Sequence, residues 1–142
     1  ALRIIAGAVA LAAVLWLWRP EWVLGLPRER PRIWALIMVF YPVLSVYPQE
    51  LAFRTFFRHR YRGLFRTQWA FIVVNAAAFG YAHVIMHNAV AVVLSFVGGL
   101  ALAHAYEKHR STPGAWLEHS LYGCAAFTIG WGRLFYGGAI GR

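Results

Sequence analysis

Residues 33–65 read IWALIMVFYPVLSVYPQELAFRTFFRHRYRGLF. The first half is almost wholly apolar. Gln49, Glu50 and Arg54 then interrupt it, and a burst of arginines follows. Arginines after an apolar run mark a membrane boundary, and ionisable groups just inside one usually have a task. Glu50 and Arg54 stand at i and i+4 with the acid on the N-terminal side, the order that supports a helix. An internal ion pair accounts for Arg54. It accounts for Glu50 only if nothing else shares the carboxylate.

The rest of the chain agrees with a membrane setting. It has 142 residues, 61% hydrophobic and 13% charged, against about 25% charged in soluble domains. All but one of its 14 Lys+Arg are Arg, Asp is absent, and the acids are Glu21, Glu29, Glu50, Glu107 and Glu118. The net charge of +9 does not point to nucleic acid, because the arginines at 19–32 and 58–66 lie between apolar runs rather than on a basic face. They point to anionic lipid head groups. Cys124 is the single cysteine, so no intrachain disulfide forms. The chain opens without Met, inside an apolar run with no cleavage site before a polar region. That run reads as a span, and the chain as a processed or incomplete one.

Five apolar runs of helical length follow one another: Leu2–Trp18, Ile33–Tyr47, Gln68–His83, Ala89–Tyr106 and Gly114–Tyr136. A span needs about 20 residues, and the alternation of a membrane barrel is absent. The expected fold is an all-α polytopic transmembrane helical bundle of about five spans, a single membrane-embedded domain over residues 1–142. Pro42 and Pro48 predict a kink or break, with Pro48 opening a new segment that runs to about Tyr61. Gly98 and Gly99 predict a close helix contact. Strict alternation would place Arg3, Arg58, Arg60, Arg62, Arg66, Lys108 and Arg110 on one side, and Arg19, Arg28, Arg30, Arg32, Arg133 and Arg142 on the other. The slightly more basic first side is then cytoplasmic.

The polar residues inside these runs carry the chemistry: Glu50, Arg54, His83, His104, Glu118 and His119. One carboxylate and two histidines on three helices can converge in a bundle core. Glu50, His83 and His119 could hold zinc or another divalent metal with an open position for water. They could equally activate water directly. Either arrangement is a hydrolase. Haem ligation by His83, His104 or His119 is a third possibility. HVIMH, residues 83–87, lacks the glutamate of a helical zinc-protease motif. G-x-S-G is missing, and the absence of Asp excludes an intramembrane aspartyl protease.

QELAFR (49–54), FGYAH (79–83) and EHSLYG (118–123) together resemble the CPBP family of intramembrane proteases, also called the CAAX-protease and bacteriocin-processing or Abi family. Its motifs E-E-x-x-x-R, F-x-x-x-H and H-x-x-x-N occur in this order on successive helices. The resemblance covers residues 40–136, and the glycine-rich FVGGLALAHAY (96–106) lies between the second and third motifs. It implies an intramembrane endopeptidase, acting on a membrane-associated protein or peptide in the bacterial cytoplasmic (inner) membrane. Carried over, the site is Glu50, Arg54, Phe79, His83 and His119. Two positions depart. Gln49 stands where the family has the first Glu, implicated in activating water. Gly123 stands where it has the Asn implicated, together with the last His (His119 here), in holding the oxyanion. Neighbouring helix positions point about 100° apart, so Glu50 does not simply replace Gln49; a rotation about Pro48, or Glu118 beside His119, would supply the carboxylate. The alternative is a catalytically inactive member that serves as an accessory or scaffold subunit among partner membrane subunits.

Overall fold

A computed structural model of the chain describes residues 2–135, with side chains from Ile4 onward. Tyr136, the expected end of the fifth run, and Arg142 lie outside the described residues, as does the side chain of Arg3. The described residues are helical throughout, with no strand.

Helix α1, Leu2–Trp18, is apolar from Ile4 onward and stops at Arg19–Pro20. A 3-10 turn over Pro20–Trp22 and the short α2, Gly25–Glu29, lead to α3, a helical segment over Pro31–Leu64. Pro31 sits in its first turn, where proline's missing N–H is no loss.

The break expected at Pro48 does not occur. The run from Ile33 and the segment after Pro48 are one helical segment of 34 residues. It absorbs its prolines by local widening: Tyr41–Val46 and Leu51–Phe56 are π-helical, with one α-helical turn, Tyr47–Glu50, between them. At the end of the first π stretch the Tyr47 N–H reaches back five residues to the Pro42 carbonyl. That same carbonyl accepts from the Trp116 indole at 2.6 Å. π turns are rare and tend to occur at functional sites; here they flank Glu50 on both sides.

Helix α4, Gln68–Ala82, is capped by the Thr67 hydroxyl and ends in a 3-10 turn, His83–Met86. Helix α5, Ala89–His109, is capped by Asn88; α6, Thr112–Ile129, is capped by Ser111. Each cap satisfies N–H groups that the helix itself leaves open. Among the described residues three helices are long and apolar enough to cross a membrane: Pro31–Leu64, Gln68–Met86 and Ala89–His109. The apolar Ile4–Trp18 is shorter.

Helices α4 and α5 run antiparallel in close contact. A Cβ on Gly99 would stand 3.2 Å from the Ala76 Cα and from the Phe79 ring, and one on Gly80 3.0 Å from Phe96. Gly99 is therefore the contact glycine of the predicted pair, while a Cβ on Gly98 would meet nothing. Indole N–H groups tie the other helices, since in an apolar medium each needs an acceptor. Trp34 of α3 donates to Thr128 of α6 at 3.0 Å, and Trp131 donates to the Leu11 carbonyl of α1 at 2.9 Å. Leu17, Leu44, Leu64, Trp69 and Ile85 remain exposed, as lipid-facing residues do.

At one end of the bundle the buried Glu107 carboxylate meets three guanidinium groups, Arg58 at 2.7 Å, Arg110 at 3.4 Å and Arg62 at 3.5 Å. This clamp joins the arginine-rich end of α3 to the end of α5, beside the site.

Candidate active site

The α-helical turn between the two π stretches delivers Glu50 to the interior with no exposed surface. Its Oε1 accepts from His119 Nδ1 of α6 at 2.8 Å, and its Oε2 faces Arg54 Nε at 3.4 Å. Arg54 is 1% exposed. A guanidinium so deeply buried needs further acceptors, and Asn75 of α4 supplies one. Arg54 Nη1 donates to Asn75 Oδ1 at 2.6 Å, and Asn75 Nδ2 donates to the Phe53 carbonyl at 2.6 Å. Three helices are thus joined by one polar chain, His119–Glu50–Arg54–Asn75.

The Phe79 ring of α4 is the apolar hub beside this chain. The Arg54 guanidinium lies 4.9 Å from its centre, and the rings of His119 and His83 lie 5.5 and 4.9 Å away, edge to face. His83 Nδ1 donates to the Phe79 carbonyl at 2.8 Å. A carbonyl only accepts, so Nδ1 carries the proton and the neutral ring has its lone pair on Nε2. The same logic holds for His119: Nδ1–H points at the Glu50 carboxylate, and the lone pair is on Nε2. The Tyr41 hydroxyl of α3 lies 3.4 Å from that nitrogen.

The structure therefore brings Glu50, Arg54, His119 and Phe79 together, with His83 on the same phenylalanine. It arranges the remaining candidates differently. Gln49 turns its amide nitrogen to Ser45 Oγ at 2.9 Å. Glu118 lines a cavity of about 220 Å³ with Tyr106, His109 and Ser111, and neither Glu50 nor Gln49 lines that cavity. His104 is exposed and stacks on Trp69. Gly123 leaves open a space that the Tyr41 ring fills: a Cβ there would collide with Tyr41 Cε1, Cζ and Oη.

Among the described residues no group of three or more His, Cys, Asp or Glu stands together to hold an ion. Glu50 directs one oxygen at His119 and the other at Arg54. For Glu50, His83 and His119 to bind zinc jointly, these contacts would have to open.

Tyr41, Asn75 and Trp116 are the site-building residues that motif reading passes over. Asn75 carried a signal, since it is a lone amide in the apolar run QWAFIVVNAAAFGYAH. Tyr41 and Trp116 are aromatic residues in an aromatic-rich chain and carried none.

The geometry can polarise one nucleophile. A carboxylate fixes an imidazole through Nδ1–H and leaves the lone pair on Nε2, which faces the Tyr41 hydroxyl, to take a proton, the arrangement of a general base with its orienting acid. Comparison with known families yields a match over most of the chain. The model of the family described as type II CAAX prenyl endopeptidase Rce1-like matches residues 30–125, the region that holds every residue of the polar chain and His83. No curated protein and no solved structure matches the chain.

Proposed function

The chain belongs to the Rce1-like type II CAAX prenyl endopeptidase family, and from that premise we propose that it is an intramembrane endopeptidase acting on a membrane-associated protein or peptide. The observation that carries the proposal is the 2.8 Å hydrogen bond from His119 Nδ1 to Glu50. It supports His119 as the base and Glu50 as the group that orients it. Arg54 holds Glu50, and Asn75 holds Arg54.

In this reading water displaces the Tyr41 hydroxyl from His119 Nε2 and loses a proton to that nitrogen as its oxygen attacks the scissile carbonyl. The imidazolium that forms is stabilised by Glu50, as in other carboxylate–histidine pairs. When the tetrahedral intermediate collapses, the C–N bond breaks and Nε2–H passes its proton to the leaving amine. The products are a carboxylic acid and an amine, and the protein is returned unchanged. No step is assigned to a metal. Gln49 does no proton transfer, since an amide is not a base at neutral pH. In the same reading His83, with its ring on Phe79 and its lone pair on Nε2, would assist in activating the water.

The proposal extends to the setting. The protein would reside in the bacterial cytoplasmic (inner) membrane as a bundle of about five spans, with Leu2–Trp18 and Thr112–Ile129 added to the three longest helices. Its arginine-rich ends would meet anionic head groups.

The test is a mass-spectrometric comparison of membrane peptidomes from strains carrying the wild type or Glu50→Ala at equal expression. Products that vanish in the variant would establish turnover and identify the substrate. Identical peptidomes would refute the peptidase reading.

One observation favours a second reading, an inactive accessory subunit. Glu50 and Arg54 are sealed from solvent, and Gln49 replaces a carboxylate with an amide. In that case the polar chain is only an internal tie between helices, and a partner membrane protein would co-purify in fixed ratio.

A further inference from the structure

We propose that Arg58, Arg62 and Arg110 form a binding site for one anionic phospholipid, with its phosphate diester held between their outward-facing guanidinium nitrogens. The site is separate from the polar chain around Glu50, and it stands whether or not the protein cleaves anything.

Charge balance is the first observation. The three guanidinium groups share the Glu107 carboxylate, Arg58 at 2.7 Å, Arg62 at 3.5 Å and Arg110 at 3.4 Å. Among the described residues no other acidic group contacts them. Arginine keeps its charge in any surroundings, so three positive charges against one negative leave a surplus of two. Glu107 is 1% exposed at its side chain. It gathers the arginines from the inside, and the surplus charge lies on their outer side.

The second observation is the direction of the donors. Arg58 uses Nε on the carboxylate. Arg62 Nη1 donates to the Phe65 carbonyl, and Arg110 uses Nε on the Glu107 carbonyl and Nη2 on its carboxylate. Both Nη groups of Arg58, Nη2 of Arg62 and Nη1 of Arg110 have no acceptor among the described residues. The side chains that carry them are 26%, 29% and 50% exposed. Each guanidinium is thus fixed along one edge and open along the other. A phosphate diester presents two unbridged oxygens, and guanidinium groups bind such oxygens through parallel N–H bonds.

The arms are also held in place before any ligand arrives. The Arg62 guanidinium lies 5.7 Å from the centre of the Phe71 ring. Arg110 caps α5 in the left-handed conformation, at φ 52°, a place that glycine usually takes. A larger residue kept there points to a task for its side chain, and in this fold the task is to bring a third guanidinium to Glu107.

The depth of the site says which phosphate it meets. Arg58 and Arg62 lie in the last turns of the span Pro31–Leu64, and Arg110 directly follows the span Ala89–His109. Head groups sit at this level. Further down α3, Leu51 and Phe56 are exposed, an apolar surface for acyl chains. A zwitterionic lipid brings no net charge to offset the surplus of two, whereas an anionic lipid does.

The experiment uses the whole chain, purified in a neutral detergent and titrated with phosphatidylglycerol, phosphatidylcholine or inorganic phosphate. Native mass spectrometry counts bound lipid, and thermal unfolding of the same samples reports the stability gained. The expected result is one phosphatidylglycerol retained per chain with a rise in melting temperature, and binding of the other two weaker by about tenfold or more. Arg110→Gly removes one guanidinium, suits the left-handed backbone and leaves Arg58 on Glu107. It should weaken phosphatidylglycerol binding about tenfold. Arg58→Lys keeps the charge but loses the fork, and should weaken it as well; Arg110→Gly carries the test alone if that variant does not fold. Arg60→Gln removes an exposed arginine that does not contact Glu107, and should bind as the wild type does. Wild-type affinity in Arg110→Gly would overturn the proposal. Equal weakening in Arg60→Gln would overturn it too, by showing diffuse attraction to the whole basic end. Inorganic phosphate that displaces the lipid at equal concentration would show a free-phosphate site and overturn the lipid assignment.

Discussion

His119 and Glu50 are 69 positions apart in the chain, and in the fold Nδ1 of one lies 2.8 Å from Oε1 of the other. The contact closes α6 onto the turn between the two π stretches of α3. Behind it stand Arg54 and Asn75, so the pair is the visible end of a longer polar tie.

The tie predicts an asymmetry between single and double substitutions. Glu50→Leu leaves the Arg54 guanidinium buried without its carboxylate, which is expected to lower stability by roughly 3–5 kcal/mol. Glu50→Leu combined with Arg54→Met removes both charges and is expected to lose much less, since a buried pair replaced by apolar groups is often near neutral. Unfolding in mixed micelles would measure both. Equal losses in the single and the double variant would show that the guanidinium finds other partners.

Asn75 makes a second, independent case. Its Oδ1 accepts from Arg54 and its Nδ2 donates to the Phe53 carbonyl. Asn75→Leu leaves a donor and an acceptor unpaired inside the protein, at about 1–3 kcal/mol for a neutral group and more for a charged one. Asn75→Leu should thus destabilise more than Ser95→Ala, also at a buried polar position on the neighbouring helix. Thermal unfolding of the two variants side by side decides it.

Much of this was legible before any coordinates. The apolar runs from Leu2, Gln68 and Ala89 became helices at those starting points, because a continuous apolar run in a membrane has only the helix by which to satisfy its backbone. The matched family and the convergence of Glu50 and His119 followed from motif residues in order along the chain. What could not be read was the path of α3. Two prolines normally interrupt a helix, yet here π turns and the Trp116 indole take up their effect, and that depends on α6 lying alongside. The same holds for Tyr41: its value comes from the missing side chain of Gly123, 82 residues later in the chain, and no local pattern records it.

The neighbouring glycines of α5 give a third prediction. A methyl group at Gly99 would press on the Ala76 backbone and the Phe79 ring at 3.2 Å, while one at Gly98 would meet nothing. Gly98→Ala should be neutral or stabilising by about 0.5–1 kcal/mol through helix propensity. Gly99→Leu should cost about 1–3 kcal/mol, and by moving Phe79 it should also perturb His119 and His83. Matching melting temperatures for the two variants would contradict the packing described.

Metal dependence follows from how the Glu50 oxygens are used. Oε1 of Glu50 is on His119 and Oε2 faces Arg54; if both contacts persist, the purified protein is expected to carry sub-stoichiometric zinc. Peptide cleavage should persist after dialysis against a strong chelator. Elemental analysis and chelator-treated kinetics check this directly. One equivalent of zinc that is lost together with activity, and restored with it, would mean that Glu50, His83 and His119 rearrange around an ion.

The last prediction concerns Gly123 and Tyr41 as a coupled pair, independently of any turnover. A Cβ at 123 would coincide with the Tyr41 ring, and that ring is hemmed in by Phe127 and His119. Gly123→Ala must therefore push the phenol out of its place or move α6 away from α3. Overpacking of this kind costs roughly 1–3 kcal/mol. In a Tyr41→Ala background the same substitution enters an empty space and should be neutral or stabilising, because alanine favours the helix over glycine by about 1 kcal/mol. The sign of the Gly123→Ala effect should thus reverse between the two backgrounds, giving a coupling well above the few tenths of a kcal/mol expected of independent sites. Thermal unfolding of the four proteins in one detergent gives the coupling. Additive effects would mean that the phenol does not occupy the Gly123 space.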